Sequence, residues 1–317
     1  RQIFNFGPNL LNARDAIYTI VGFFQSVILL LRIQPDVIFF KGGYVVVPLG
    51  KAARLLRIPY ITHDSDALPG LANRLIAKGA TYNAVAHRAV TCYPKHKTVV
   101  TGIPVVQEYI ERSAVPQTAY KSKLGLPEDS IHLFVYTGTQ GARVIDDALD
   151  KAVSALLERH NNLYISHVFG RLNEHTIDER YRDVPKALQE RIRKLAFIEN
   201  AYDYIASADI IIGRAGATSM AEFAVIGRAC VIIPAEQLTG GHQLKNVEPL
   251  ESAGAIRVVR EKDLQEQLGP VLEVLIANAS ERHELETTFR NFAVTDASLR
   301  IAQLIFDTYN RKQLAGK

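Results

Sequence analysis

Residues 207–222 read SADIIIGRAGATSMAE. The apolar run Ile210, Ile211, Ile212 is continuous rather than alternating, the pattern of a parallel strand covered on both faces. It breaks at Gly213 into a turn that also holds Gly216, after which Thr218 or Ser219 can cap a helix that Gly227 stops. Strand, glycine turn and helix together form the repeating unit of doubly wound α/β sheets. Ligands of such sheets sit where the turn meets the helix N-terminus.

Working outward, the same unit recurs along the chain. Strands are expected at 36–40, 59–62, 98–101, 131–136, 163–168, 209–212 and 230–233. Between them lie helices such as 143–160, where Val144, Ile145, Ala148, Leu149, Ala152, Val153, Leu156 and Leu157 form one apolar stripe at helical period. The pattern appears twice, and 317 residues suit two domains. We expect an α/β protein of two Rossmann-like domains, at 1–125 and 126–295, with a helix in 296–317 packing back toward the first. The seam is placed in the polar, proline-containing stretch 113–130.

Composition narrows the function. With 48% hydrophobic and 22% charged residues the chain has material for sizeable cores and no signature of disorder. Cys92 and Cys230 form no CxxC pair, which suits a reducing compartment and argues against structural zinc. The formal net charge of +4 is too small to demand nucleic acid. It is unevenly spread: residues 1–130 carry 15 basic against 8 acidic groups, and 131–317 carry 22 against 25. The run 16–31, AIYTIVGFFQSVILLL, falls short of the ~20 residues of a spanning helix, so a packed helix whose outer face could meet a membrane is expected. The numbering opens on Arg1 and the sole methionine is Met220, so a preceding segment is expected.

Three loops of the second half can hold a ligand. Gly138, Thr139, Gln140 and Gly141 close one strand; they match neither the Walker pattern nor GxGxxG. After Ile212, Arg214 adds positive charge beside Gly216, and Glu222, about one turn beyond Thr218, offers a carboxylate to paired hydroxyls. On spacing alone the lesser alternative is that Glu222 is a solvated helix residue and Arg214 a surface ion pair. In 234–246 (PAEQLTGGHQLKN), Gln243 and Asn246 are three apart and can share a helical face. In the first half, Gly42, Gly43 and Tyr44 end one strand and His63, Asp64, Ser65 and Asp66 end the next. His63 and Asp64 are candidates for proton transfer, with a turn cluster as the alternative. The DxD triplet is no more than chance supplies, so no metal is expected there.

Taken in order, GGY at 42–44, HDSDALPGLANR at 63–74, TGIPV at 101–105, TGTQGAR at 137–143, the stretch 207–222 and HQLKN at 242–246 resemble the MurG family. These are the peptidoglycan N-acetylglucosaminyltransferases that convert lipid I to lipid II. The resemblance runs from about residue 30 to 295 and implies a GT-B fold whose second domain holds UDP-GlcNAc without cofactor or metal. It implies donor contacts from Thr139, Gln140 and Gly141, with Ile198 near the uracil. Arg214, Gly216, Ala217, Thr218, Ser219, Met220 and Ala221 would surround the diphosphate and ribose, with Glu222 on the ribose hydroxyls and Gln243 and Asn246 toward the sugar. Gly42, Gly43, Tyr44 and Asp66 fall on the acceptor side, with His63 and Asp64 as catalytic candidates. The implied partners are UDP-GlcNAc, a polyprenyl-diphosphate acceptor and the cytoplasmic face of the cell membrane, where the protein would be peripheral; nucleic acid is not implied.

The resemblance has gaps. The family opens with a strand and a histidine-containing glycine loop that residues 1–35 do not match, so the first domain is expected to be truncated and the activity of this chain is left open. Val106 stands where the family commonly has arginine, Ile103 where asparagine or serine is usual, and Asp64 where glutamate is usual. Two alternatives follow: a UDP-GlcNAc epimerase or hydrolase on the same fold, and a nucleotide-sugar-binding subunit that needs a partner chain.

Overall fold

The computed structural model describes residues 10–138, 141–171, 173, 179–237 and 239–315. The chain divides into two compact units, 1–103 with 296–317, and 104–295. In the first, helix α1 (Leu10–Ile33) leads to β1 (Ile38–Phe40), α2 (Val46–Leu55), β2 (Tyr60–Asp64), α3 (Leu71–Ile76), β3 (Tyr82–Val85) and β4 (Thr98–Val100). The four strands are parallel in the order β1-β2-β3-β4. Tyr60 points to one face, packing with Phe40, Val46, Ala53 and Leu30 under α1 and α2. Its neighbour Ile61 points to the other, against Ala84 and Leu304, whose segment 296–317 thus completes the unit.

The second unit holds α4 (Gln107–Ser113), α5 (Gln117–Lys123), β5 (Ile131–Tyr136), α6 (Arg143–Arg159), β6 (Leu163–Val168), α7 (Lys186–Gln189), β7 (Ile192–Leu195), α8 (Ala201–Ser207), β8 (Ile210–Gly213), α9 (Ala217–Ile226), β9 (Ala229–Ile232), α10 (His242–Ser252), β10 (Arg257–Val258), α11 (Leu264–Ala277) and α12 (Ala279–Arg290). The closing helix of the first unit is α13 (Ala297–Ala315). Six parallel strands run β10-β9-β8-β5-β6-β7. Leu133 and Val135 of β5 face a core with Ile145 and Leu149 of α6 and Leu272 of α11. Phe134 faces the opposite core with Ile205 of α8, Phe223 of α9 and Val247 of α10. Burial on both faces is why these strands read as unbroken apolar runs.

Two expectations differ from what is found. The division falls between Ile103 and Pro104, not after residue 125. The polar stretch expected to be a seam contains α5, and it is fastened to the second unit: Gln117 Nε2 donates to the Ser207 and Ala208 carbonyls at 3.1 and 2.9 Å, and Lys123 pairs with Asp203 at 2.7 Å. Polarity there reflects side chains that bond across to α8. The second difference is α1, which extends well past the 16-residue apolar run. The 20 residues from Arg14 to Ile33 have a mean hydropathy of 1.9 with only 6% of the stretch fully buried, long and apolar enough to cross a membrane by length and composition. One stripe, Phe23, Val27 and Leu30, packs into the core, while Ile17, Tyr18, Ile20, Phe24 and Ile28 are exposed.

Candidate active site

From β5 the chain moves outward through β6 and β7, then returns to the other side of β5 for β8, β9 and β10. The strand order therefore reverses between β5 and β8, and the crevice beyond their C-terminal ends is where an open α/β sheet takes its ligand. Gly138 follows the end of β5 there, and Gly216 follows the end of β8.

After β8, Gly216 is the N-cap of α9 in extended conformation and offers no side-chain cap. Thr218 and Ser219 lie within the first turn, so neither is the cap that the sequence suggested. The first intrahelical bond of this turn runs from the Met220 amide to the Gly216 carbonyl at 3.0 Å, which leaves the amides of Ala217, Thr218 and Ser219 without intrahelical partners. Together with the helix dipole they make a site for an anion. Gly227 ends the helix in left-handed conformation, φ +70°.

The loop before α9 is clamped from α10. Gln243 Oε1 accepts from the amides of Ala215 at 3.2 Å and Ala235 at 2.8 Å, and buried Asn246 donates from Nδ2 to the Ala215 carbonyl at 3.1 Å. Two backbone donors on one atom fix which end of the Gln243 amide is oxygen and turn its Nε2 elsewhere. Gln243 and Asn246 do share a face of α10, and that face shapes the turn as well as lining it. Arg214 is drawn away from the glycines, its Nη1 2.6 Å from Glu261 Oε1 and 3.2 Å from the Ile233 carbonyl.

After β5, Gly138 and Gly141 both have positive φ, +92° and +74°. Thr139 and Gln140 lie outside the described residues. Ile198 is partly buried against the core that contains Phe223. Met220 is buried in that core too, whereas Ala221 is partly buried against it.

Glu222 lies on the side of α9 that faces α4 and β5. Burial pushes its carboxyl up to about 7, against a smaller lowering by a hydrogen bond from Tyr109. Tyr109 and Tyr136 have their own hydroxyls raised, by burial first and then by the nearby Glu222. Neither tyrosine was singled out from sequence: Tyr136 reads as the end of a strand, and Tyr109 lies on a seven-residue helix with no motif.

In the first unit, Gly42 and Gly43 adopt φ +101° and +88°, and Tyr44 projects 82% exposed. His63 is fully buried; its Nε2 is 3.0 Å from the Gly102 carbonyl, and burial lowers its pKa below the ordinary histidine value. Asp64 Oδ1 accepts from the Gly70 amide at 3.1 Å and Asn73 Nδ2 at 3.0 Å, and Oδ2 from the Tyr93 hydroxyl at 2.7 Å. Asn73 also donates to the His63 carbonyl at 2.9 Å and sits under Gly42. The His63 ring is thus tied to the segment after β4, and Asp64 to the turn after β2, to α3 and to Tyr93. Asp66 lies near His87, whose pKa burial lowers. Among the described residues no group of three or more His, Cys, Asp or Glu side chains could hold a metal ion.

Two parallel α/β units of this kind define the GT-B class of glycosyltransferase fold. Comparison with known proteins agrees: the Glycosyltransferase family 28 C-terminal domain matches residues 132–301 and its N-terminal domain matches 7–85. The chain belongs to glycosyltransferase family 28. It is 31% identical to the UDP-N-acetylglucosamine–N-acetylmuramyl-(pentapeptide) pyrophosphoryl-undecaprenol N-acetylglucosamine transferase of Geobacter sulfurreducens, over 93% of this chain and 77% of that one. The same enzyme of Caldicellulosiruptor saccharolyticus is also 31% identical, over 92% and 77%. Among solved structures, Acinetobacter baumannii MurG superposes with a TM-score of 0.72 at 24% identity, covering 92% of this chain and 79% of its own. A UDP-GlcNAc 2-epimerase from Neisseria meningitidis, bound to UDP-GlcNAc, superposes at 0.62 with 12% identity, covering 91% and 81%.

Proposed function

We propose that this chain transfers N-acetylglucosamine from UDP-GlcNAc to undecaprenyl-diphosphate-MurNAc-pentapeptide, as its named relatives do, and that it works at the cytoplasmic face of the membrane. The observation that carries the reading is the uncapped N-terminus of α9 at the reversal of strand order, with the Glu222 carboxyl a turn further along. The diphosphate of the donor sits on the amides of Ala217, Thr218 and Ser219, Glu222 accepts from the ribose hydroxyls, and the Gln243 amide nitrogen meets the sugar. The acceptor hydroxyl attacks the anomeric carbon with inversion as the bond to UDP breaks, its proton passing to a base. Amides and helix dipole stabilise the charge that builds on departing UDP, so the donor site needs no metal. The excess of basic groups in residues 1–130 and the exposed apolar face of α1 support contact with anionic lipid.

The test is calorimetry with UDP and radiolabelled transfer to a lipid I analogue, in EDTA. Wild type binds and transfers in the chelator, and Glu222→Ala loses roughly 1–3 kcal/mol of UDP affinity, the scale of hydrogen bonds to a charged group. Unchanged affinity in Glu222→Ala removes the residue from the site. Turnover of UDP-GlcNAc with no acceptor present selects the epimerase reading instead.

A further inference from the structure

Each residue of the turn between β8 and the Gly216 cap of α9 is tied to its surroundings. The Gly213 carbonyl accepts from the Ile233 amide at 2.9 Å, and a Cβ at Gly213 would press on Phe223 of α9 at 3.0 Å and on the Tyr136 carbonyl at 3.2 Å. Ala215 is held through both its amide and its carbonyl by Gln243 and Asn246 of α10. Between them, the Arg214 side chain reaches across the end of β9: Nη1 donates to the Ile233 carbonyl at 3.2 Å and to Glu261 Oε1 at 2.6 Å. The two side chains are 17% and 19% exposed, so the pair keeps more of its strength than one in open solvent. Glu261 opens the turn Glu261–Asp263 that joins β10 to α11, and the preceding Arg260 pairs with Glu251 of α10 at 3.5 Å. A ring of contacts therefore runs from the β8 turn to α10, on to the β10–α11 connection, and back through Glu261 to Arg214.

We propose that Glu261 is a positioning residue for diphosphate binding, acting through Arg214 to fix the turn that carries the first amides of α9. This role rests on the donor site proposed above. Several amides can converge on one anion only if the turn before them is held to within about 0.5 Å. Arg214 is suited to that task because one of its NH2 groups donates to a carbonyl and a carboxylate in directions that the guanidinium plane sets. Two other roles for the pair lead to different outcomes. A guanidinium that meets the diphosphate itself would be released by loss of Glu261 and would bind UDP more tightly. An ion pair that serves stability alone would leave the ratio of UDP to uridine affinity where it was.

The experiment measures UDP affinity by calorimetry, and uridine affinity by competition with UDP, for wild type, Glu261→Ala, Glu261→Gln, Arg214→Ala and the double alanine variant, with thermal melts as a check on folding. Wild type prefers UDP, because uridine has no diphosphate to place on the amides. Glu261→Ala and Arg214→Ala each lose about tenfold in UDP affinity, the scale of a hydrogen bond to a charged group, and leave uridine binding in place. The double variant is no weaker than either single one, since the two residues act as one brace. Glu261→Gln, which keeps an acceptor oxygen, recovers most of the loss. Wild-type or tighter UDP binding in Glu261→Ala overturns the inference, as does an equal loss of UDP and uridine affinity. Wild type separates the two failures: if it binds UDP no better than uridine, the donor-site reading fails and the role of Glu261 with it. A wild-type preference for UDP that survives intact in Glu261→Ala removes the role of Glu261 alone.

Discussion

A methyl group added at position 141, in Gly141→Ala, abolishes donor binding and costs about 2–5 kcal/mol of stability, the sum of a left-handed backbone and an overpacked contact. Gly141 has φ +74°, where a Cβ is already strained, and that Cβ would overlap the Phe169 carbonyl oxygen and come within 2.7 Å of Asn173 Nδ2. The Phe169 carbonyl cannot move aside easily. Asn173 Nδ2 donates to it at 2.9 Å, and the Phe169 ring stacks on His167 at 3.9 Å. His167 in turn is held between Asp146 of α6, 3.0 Å from Nε2, and the Tyr181 hydroxyl, 2.5 Å from Nδ1. All of these rings are buried, so the added methyl must displace the backbone at Gly141 instead. Gly138 and Gly141 lie between β5 and α6, next to the reversal of strand order. Urea denaturation and UDP calorimetry on the same preparation measure both effects; a variant with wild-type midpoint and affinity would show that the loop tolerates a side chain and takes no part in binding.

The strands most legible in the sequence are those of the second unit that are buried on both faces. β5, β6, β8 and β9 are covered on both faces and appear as apolar runs whose observed ends lie within a residue of expectation, with 131–136 and 163–168 found as read. The strands that escaped notice carry other signals. In β3, Tyr82–Val85, a buried Asn83 interrupts the run and is accommodated because Thr62 Oγ1 donates to its Oδ1 at 2.8 Å. β7 carries Arg193 and Lys194 because it is the edge strand, and β10, the other edge, is two residues long. Candidate site residues divide the same way. Gly216, Ala217 and Glu222 are legible because a glycine turn opening a helix leaves a pattern in the chain. Tyr109, whose hydroxyl is near Glu222, is not, because its position comes from α4 packing against α8 and α9, a tertiary fact with no local spacing. Arg214 shows the converse: charge beside glycines suggested a ligand contact, but the guanidinium turns to Glu261.

Asp64 is the position where a catalytic and an architectural role predict opposite measurements. Three donors converge on its carboxylate, from the Gly70 amide, Asn73 Nδ2 and the Tyr93 hydroxyl, and the group is 5% exposed. In Asp64→Ala those donors lose a charged acceptor in a site that water cannot readily enter, and each bond to a charged group is worth about 1.5–3 kcal/mol. Partial relaxation and solvent access reduce the total, so the expected loss for the first unit is roughly 3–5 kcal/mol. Asp64→Asn keeps the shape but points an amide group at one set of donors, and it falls between wild type and alanine. A general base would behave otherwise: asparagine there would drop kcat by orders of magnitude while leaving the melting transition in place. Thermal melts of the three proteins beside transfer rates at saturating substrate therefore decide the matter. The expected result is a graded fall in melting temperature with activity lost in proportion to unfolded protein, because a buried carboxylate that already accepts from three donors is committed to holding its neighbours in place.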